Sequence, residues 1–346
     1  MGKRAVILMI TALTMAACMT NTRYPVMGDR MVFSAVASHT KCIITSTSYP
    51  TDLPFIVEAV HYPDGTEQDW DQVYMAGETI EYDPQNAWWQ PQEEFLWPLG
   101  GDVVFYAATP AISKISISPE VGVETDWAVH TFADAQIDFC IAKTVEPCSH
   151  HSAVVPIVFD HALTQVCVKV RPLKQYSATQ RVDDMLQTDE ITVVLDSVKL
   201  SGILAEGHFI QATKKWETIP SVTENYTLYN DPAGQALSCD KYDNPELTVL
   251  PPMLLIPQVL PKGAHIEEWH HTVVHSFVKD LTSGEIVSEL NYTIPATSTL
   301  PLQLCCQRWI PGYKYTFHLS LGMEDPLLTL AVTDWIETKE IILSDE

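Results

Sequence analysis

The chain has 346 residues, of which 44 are acidic and 20 are Lys or Arg, so its formal net charge at pH 7 is −24. A surface with this charge repels phosphate backbones, which argues against nucleic acid as a partner. The 46% hydrophobic content and the 23 prolines are typical of a folded, loop-rich β protein rather than a disordered chain.

The N-terminus has the organisation of a secretory signal. Two basic residues precede a short apolar run, and two alanines stand directly before Cys18. The run is about half of the roughly 20 residues that a transmembrane helix needs. Residues 15–18 resemble the lipobox of bacterial lipoproteins, so we predict a signal peptide over 1–17, lipidation of Cys18 and a lipidated tether over 18–30.

Short stretches rich in β-branched and aromatic residues predict strands along the whole chain. Pro, Gly, Asp and Asn separate them, as in sandwiches and barrels. Helical periodicity is scarce, and its best candidate is 178–187. In chain order the strand candidates are 55–60, 103–107, 115–118, 154–159, 166–170, 191–195, 247–250, 273–278 and 327–332.

Two all-β domains are the natural expectation, because 346 residues exceed what one core usually organises. The loop at 145–152 separates two sets of strand candidates. We therefore predict an N-terminal domain over 31–150 and a C-terminal domain over 151–346 that ends in a short tail.

Catalytic motifs are absent from the sequence, including those of zinc proteases, serine hydrolases and nucleotide-binding enzymes. We therefore expect no enzymatic activity, no cofactor and no metal. The nearest pattern to a site is His271 and His275, which a strand projects to one face, with His270 on the other. A metal there would need further ligands, and solvent-facing strand residues explain the pattern equally well.

The cysteines do not indicate a definite disulfide or metal site. The chain has 8, so 7 remain besides Cys18, and an odd number cannot pair completely within one chain. Cys167 lies between two valines and is predicted to be a small buried hydrophobe. Cys140 and Cys148 could pair across a loop, and the two histidines that follow Cys148 offer a weak metal alternative.

Aromatic residues concentrate between positions 88 and 98. If Trp88, Trp89 and Trp97 are exposed, they form a platform for stacking on sugars, and the chain is a surface glycan-binding lipoprotein that does not polymerise. If they are buried, they close one end of a β-sandwich core. We favour the core and keep glycan binding as the alternative function.

The order and spacing of several motifs resemble the fimbrillin family of Bacteroidetes. The resemblance covers nearly the whole chain after Cys18. The motifs are Trp88-Trp89, Trp97-Pro98, Val103–Pro110, Val158–Leu163, Val166–Val170, Leu254–Gln258, Trp309–Tyr315 and Val332–Trp335.

This resemblance implies two transthyretin-like β-sandwich domains in tandem and a role in type V pili or related surface adhesins. Such subunits are delivered to the outer membrane as lipoproteins. In pilus-forming members a trypsin-like protease removes the N-terminal strand, and an extended segment of another subunit fills the vacated groove. The implied partners are other pilus subunits, host or bacterial surface ligands, and the outer membrane through the lipid anchor.

The resemblance also points to candidate sites at both ends of the chain. The candidate cleavage sites are Arg30, the last residue of the predicted tether, and Lys41, near the start of the predicted first domain. At the other end, the apolar residues that could serve as a donor strand are Ile341, Ile342 and Leu343. Only residues 336–346 follow Trp335, which is short for a donor arm, so a tip, anchor or non-polymerising adhesin stays open against a stalk subunit.

Overall fold

A computed structural model describes residues 30–37, 49–63, 73–112, 114–118, 120–150, 153–173, 178–238, 247–335 and 342–343. Strands make up nearly all of the regular structure in these ranges, which confirms the all-β prediction. No helix in the described ranges has the length and hydrophobicity of a membrane span. The helical segments are short 3-10 turns at Ala133–Ala135, Cys148–His150, Gln211–Thr213 and Leu302–Leu304.

The strands follow one another with short connections. In the first part of the chain they are β1 (Phe33–Ala37), β2 (Phe55–Tyr62), β3 (Val73–Asp83), β4 (Trp88–Pro91), β5 (Asp102–Thr109), β6 (Ser116–Ser118), β7 (Gly122–Ala128), β8 (Cys140–Pro147) and β9 (Val155–His161). In the second part they are β10 (Thr164–Pro172), β11 (Ala178–Val182), β12 (Met185–Leu204), β13 (Glu206–Ile210), β14 (Lys215–Thr218), β15 (Thr223–Ala236), β16 (Thr248–Val249), β17 (Met253–Leu255), β18 (His265–Asp280), β19 (Ile286–Pro301), β20 (Tyr313–Leu321), β21 (Leu327–Asp334) and β22 (Ile342–Leu343).

Seven strands of the first part form a closed barrel in the order β1-β4-β3-β2-β5-β8-β9. Alternation explains how one face of each strand reaches the core: along β9 every second residue is buried and the others are exposed. Aromatic side chains fill the middle of the barrel. The largest of them that are fully buried are Phe33, Phe55, Phe105 and Phe159.

Strand β9 belongs to this barrel, although it follows the boundary predicted at residue 150. It pairs in parallel with β1 and in antiparallel fashion with β8. Only Ala162 and Leu163 separate it from β10, which lies in another sheet. The change of sheet therefore falls at 162–163, after β9, and the domain boundary at residue 150 stays a prediction.

The second part contains two larger sheets around a shared core. One sheet has the order β16-β10-β20-β21-β22, with β17 also paired to β10. The other has the order β11-β12-β18-β19, with β15 also paired to β12. Both sheets contribute fully buried side chains to the core, among them Val168 and Phe317 from the first and Leu200 and Ile266 from the second.

The two parts of the chain are joined by packing rather than by a free linker. Strands β6 and β7 pair with β13 and β14 in a separate sheet of the order β14-β13-β7-β6. Ile56 and Ala108, on the outer face of the barrel, belong to the core of the second part. Whether the two parts are independent transthyretin-like domains stays a prediction.

The helical candidate at 178–187 is wrong. Residues 178–182 form β11, which pairs with the start of β12 from Ala178 opposite Asp189 to Val182 opposite Met185. The connecting turn places Asp183 at a φ of 55°. Aspartate tolerates this left-handed conformation in tight turns, so local turn chemistry and strand pairing override the weak helical pattern.

Candidate functional site

Strand β1 closes the barrel. It pairs in parallel with β9 along its whole length, from Phe33 opposite Val155 to Ala37 opposite Phe159. On its other side it pairs with β4 through a single residue pair, Phe33 with Trp89. We call the space between β4 and β9 that β1 fills the β1 groove. Parallel pairing is slightly less stable per residue than antiparallel pairing, and the ladder with β9 is the only extended one that β1 forms with the described strands.

Alternate side chains of this segment point into the barrel core. Met31 and Phe33 are 2% and 0% exposed, and Ala35 packs against the same core. Ser34 and Val36, which alternate with Phe33 and Ala35 along β1, are exposed. Burial of a Met or Phe side chain stabilises a fold by about 1.5–3 kcal/mol. An empty β1 groove would therefore leave the barrel with unfavourable exposed apolar surface.

The residues just before β1 are also paired to the barrel. The backbone N–H of Met31 donates to the carbonyl of Phe95 at 2.8 Å, and Arg30 forms a β-bridge with Leu96. The Arg30 guanidinium hydrogen-bonds the Glu94 carboxylate, which lowers the pKa of Glu94. A cleft of about 160 Å³ lies beside these residues, between Arg30–Val32 and Gln90–Phe95. The seal between this segment and the chain after β4 is therefore incomplete.

Arg30 and Lys41, the two predicted cleavage sites, differ in what a cut would do. Arg30 precedes β1, so a cut after it leaves β1 attached to the body of the protein. Lys41 follows β1, so a cut after it separates β1 from the body. Lys41 and the lipidation site Cys18 lie outside the described residues. Only Arg30 is seen, with its side chain exposed and its backbone bridged.

The C-terminal donor candidates lie beside the edge of their own chain. Ile342 and Leu343 form β22, which pairs with β21 through Ala331 and Leu330. Ile341 lies outside the described residues. Since β22 is held by only two residue pairs, its backbone pairing is short, and β21 becomes an open edge if the tail leaves.

Two of the three tryptophans proposed as a sugar platform are core residues. Trp89 and Trp97 are 4% and 6% exposed and belong to the barrel core. Trp88 is half-buried, and its Nε1 donates to Oε1 of Gln90 at 3.2 Å. A platform of all three rings is therefore not presented to solvent, because alternate residues of β4 face opposite sides of the strand.

A sequence model described as fimbrillin-like matches residues 59–335. This match covers most of the 346 residues and includes strands from both parts of the fold. The chain belongs to the fimbrillin-like family. Membership in this family supports an adhesive role at the cell surface. It also supports a structural role rather than a catalytic one.

Solved structures are similar to this fimbrillin-like chain at low sequence identity. A proposed cell adhesion protein from Bacteroides uniformis is 12% identical, with a TM-score of 0.48, over 89% of this chain and 99% of its own. A proposed cell adhesion protein from Bacteroides ovatus is 14% identical, with a TM-score of 0.49, over 91% of this chain and 99% of its own. The fimbrial anchor protein from Porphyromonas gingivalis is 12% identical, with a TM-score of 0.32, over 88% of this chain and 97% of its own. No curated protein sequence matches the chain significantly.

The histidines of β18 in this fimbrillin-like chain do not converge on one point. The Nδ1 atom of His271 lies 2.9 Å from Oδ2 of Asp196. The Nε2 atom of His275 lies 2.7 Å from Oε1 of Glu289. Both project from the same face of β18, as predicted, but they share no carboxylate: His271 pairs with Asp196, and His275 pairs with Glu289 and Glu190. They are therefore ion-paired residues of a sheet surface and not a ligand set.

His270 projects to the opposite face and is buried beside Glu268. Its Nδ1 lies 2.8 Å from Oε2 of Glu268, and its Nε2 lies 3.1 Å from the carbonyl of Gly322. Burial lowers the pKa of His270, but the hydrogen bond and charge of Glu268 together with the Gly322 carbonyl outweigh it, so the pKa is raised. Both members of this buried ion pair lie on β18, and the contact of His270 with Gly322, directly after β20, links the two sheets; the sequence did not indicate either contact.

Asp138, Cys140 and His161 form a second cluster that the sequence did not reveal. Oδ2 of Asp138 and Sγ of Cys140 lie 2.7 Å and 3.3 Å from the same atom, Nδ1 of His161. A Cys-His-Asp catalytic arrangement needs the thiol and the carboxylate on different ring nitrogens. This arrangement is therefore unsuited to activating the thiol, and the ring of His161 instead stacks on Trp335.

No disulfide joins the described cysteines to one another: these are Cys140, Cys148, Cys167, Cys305 and Cys306. Cys167 is buried, as expected from its valine neighbours. Cys140 and Cys148, the pair considered for a disulfide, are both buried without being joined. Burial, with a smaller effect of Cys305, raises the pKa of Cys306 to about 12, so this thiol is protonated at neutral pH.

Proposed function

We propose that this chain is a subunit of a surface fimbria or adhesive assembly, anchored in the outer membrane through lipidated Cys18 until a protease releases it. Strand β1 acts as a placeholder that keeps the barrel closed before assembly. After its removal, an extended segment of another subunit fills the β1 groove. The observation that supports this proposal is that β1 closes the barrel along a parallel ladder while it buries Met31 and Phe33.

The position of the cut follows from the position of β1. Arg30 is bridged to Leu96 and precedes β1, whereas Lys41 follows β1. A protease that cuts after Arg30 leaves the placeholder in place. We therefore assign the activating cut to Lys41, one of the two sites considered from the sequence.

The incoming strand must place apolar side chains where Met31 and Phe33 stood. These two positions are two residues apart, so they face the same side of a strand. Ile341 and Leu343 have the same spacing near the C-terminus. The tail of another copy is therefore a suitable donor, provided that β22 first leaves β21. Backbone hydrogen bonds would supply affinity, and the two side chains would supply fit.

Limited trypsin digestion of the wild type, Lys41→Gln and Arg30→Gln tests this proposal. In the wild type and in Arg30→Gln, we expect loss of the fragment that ends at Lys41, followed by oligomers that resist dilution and mild detergent. The Lys41→Gln variant should form none of these oligomers under the same digestion. Oligomers of equal yield from Lys41→Gln would overturn the assignment of the cut.

Deletion of residues 340–346 tests the donor separately. The cleaved, shortened chain should accept a strand but should not donate one, so it should cap oligomers of the cleaved wild type. If the shortened chain polymerises as the wild type does, the tail is not the donor. Polymerisation that fails for every cleaved form, with all partner subunits supplied, would leave a monomeric adhesin as the correct function.

A further inference from the structure

Strand β19 presents a long open edge. It pairs with β18 from Ile286 opposite Lys279 to Pro301 opposite His265, and it is the last strand in the order β11-β12-β18-β19. Among the residues that the structure describes, no strand pairs with its other side. Residues 286–295 are all exposed. Such an edge carries a row of unpaired backbone N–H and C=O groups that can pair with another strand.

The features that usually prevent pairing at an edge strand are missing from β19 between Ser288 and Ile294. Lysines, bulges or prolines normally prevent edge-to-edge pairing. Between Ile286 and Ile294 the only charged residue is Glu289, and His275 of the neighbouring strand already pairs with it. The only register shift in this ladder leaves Val287 without an opposite residue between Ile286 and Ser288, so the unprotected stretch begins at Ser288.

One face of this edge is apolar. Leu290, Tyr292 and Ile294 alternate along β19, so they share a face, and they are 59%, 43% and 38% exposed. On β18, Val274 lies opposite Tyr292 and Thr272 lies opposite Ile294, and both of these β18 residues are 2% exposed. The apolar surface of the sheet therefore continues from its buried part to its open edge.

The prolines of β19 indicate which residues offer backbone groups to a partner. Pro295 and Pro301 both occupy odd positions, and a proline in a paired edge strand keeps its nitrogen on the open side. The outward backbone groups between the bulge and Pro295 therefore belong to the odd-numbered residues Glu289, Asn291 and Thr293. A partner strand can pair with this stretch until Pro295 ends it.

We propose that two copies of this chain associate through antiparallel pairing of their β19 strands, about a two-fold axis at Asn291. In this register Leu290 faces Tyr292 of the partner subunit on both sides of the axis. Glu289 faces Thr293 of the partner subunit, so like charges do not meet. The ladder ends at Pro295 on one side of the axis and at the bulged Val287 on the other. The interface is independent of strand exchange in the β1 groove.

Charge explains why a second copy fits this edge although the chain as a whole carries −24. The one carboxylate in the stretch, Glu289, pairs with His275 of its own chain, which also pairs with Glu190. A register shifted to centre on Glu289 would place two carboxylates opposite each other, which destabilises a strand pair. The apolar pairs and the charge both favour the axis at Asn291.

Light scattering of the full chain carrying Cys18→Ala, so that no acyl anchor contributes, tests the proposal. We expect a mass of twice the 38.7 kDa of one chain. Leu290→Lys and Tyr292→Lys should each give the mass of a single chain. Val182→Lys is the matched control, since Val182 is 55% exposed and lies in β11 at the opposite edge of the same sheet. It should remain dimeric.

Cross-linking tests the register without altering the apolar face. Two Asn291→Cys thiols would meet across the axis, where Cα atoms of a paired position are about 5.5 Å apart. A short thiol cross-linker should join Asn291→Cys chains into dimers and should leave Thr299→Cys chains largely unlinked. A monomeric wild type at high concentration, dimers that survive both lysine variants, or equal cross-linking of the two cysteine variants would each overturn the proposal.

Discussion

The ring of Phe33 meets the ring of Phe105 edge-on, with ring centroids 5.6 Å apart and planes at 85°. Both side chains are fully buried. Phe105 lies on β5, across the barrel from β1. Through this contact the first strand of the fold packs against the centre of the core. Edge-to-face pairs of this kind add about 0.5–1.5 kcal/mol beyond the burial of area.

Phe33→Ala should therefore destabilise the uncleaved chain strongly. We expect a loss of about 3–5 kcal/mol in the free energy of unfolding, the usual effect of truncating a buried phenylalanine. Val36→Ala is the control, because Val36 lies on the same strand and is 39% exposed. Urea denaturation followed by circular dichroism measures both. Equal small losses in the two variants would show that β1 contributes little to the closed barrel.

The fold class could be predicted because strand alternation and turn residues are local signals. The same signals missed the role of β9, since its pairing partner β1 is more than a hundred residues away and parallel pairing leaves no turn between them. The helical candidate at 178–187 failed for a related reason. Its residues acquire strand structure from β12, a neighbour that a short window of sequence does not weigh.

The candidate site was only partly predictable. The sequence placed Arg30 and Lys41 near a removable segment, but it could not tell which of them lies beyond the closing strand. That distinction depends on where β1 begins and ends. Asp138 and His161 were missed because they are brought together by the pairing of β8 with β9, which has no signature in residue spacing.

Trp335 should hold the end of β21 against the barrel. Its ring stacks on His161 of β9 with centroids 3.9 Å apart, and it is 2% exposed. We expect Trp335→Ala to lower the free energy of unfolding by about 3–5 kcal/mol. Trp269→Ala, at a tryptophan that is 53% exposed, should have a much smaller effect. Similar losses in both variants would contradict a packed junction.

Glu58 makes stability depend on pH. Burial, and secondarily the charge of Glu120, raises the pKa of Glu58 from 4.5 to about 7. The folded state therefore favours the protonated form, and this carboxyl destabilises the fold progressively as pH rises from about 4.5 to about 7.

Glu58→Gln should remove that penalty. At pH 8 we expect the variant to be more stable by about 1–2 kcal/mol, a value that allows for screening by nearby solvent, and at pH 4 the two proteins should be equal. Denaturation at both pH values measures the difference, with exposed Glu81→Gln as the control. A stabilisation of the same size at pH 4 would rule out ionisation of Glu58 as its cause.

Cys18 should be the site of lipid attachment. Only its thiol follows the small residues of the proposed signal cleavage site, so Cys18→Ala should abolish incorporation of labelled palmitate and release the chain from the membrane fraction. Cys42→Ala, the next cysteine in the sequence, should be labelled as the wild type is. Labelling of Cys18→Ala at the wild-type level would contradict the lipoprotein assignment.

Refilling of the β1 groove is the most direct test of strand exchange. Chain cleaved after Lys41 and freed of its N-terminal fragment is titrated with two fluorescent peptides, one spanning residues 31–40 and one spanning 336–346, and anisotropy reports binding. The account predicts that both peptides bind the cleaved chain in competition with each other, and that neither binds the uncleaved chain. A 31–40 peptide that fails to rebind, or that binds cleaved and uncleaved chains equally, would contradict the claim that β1 occupies a replaceable groove.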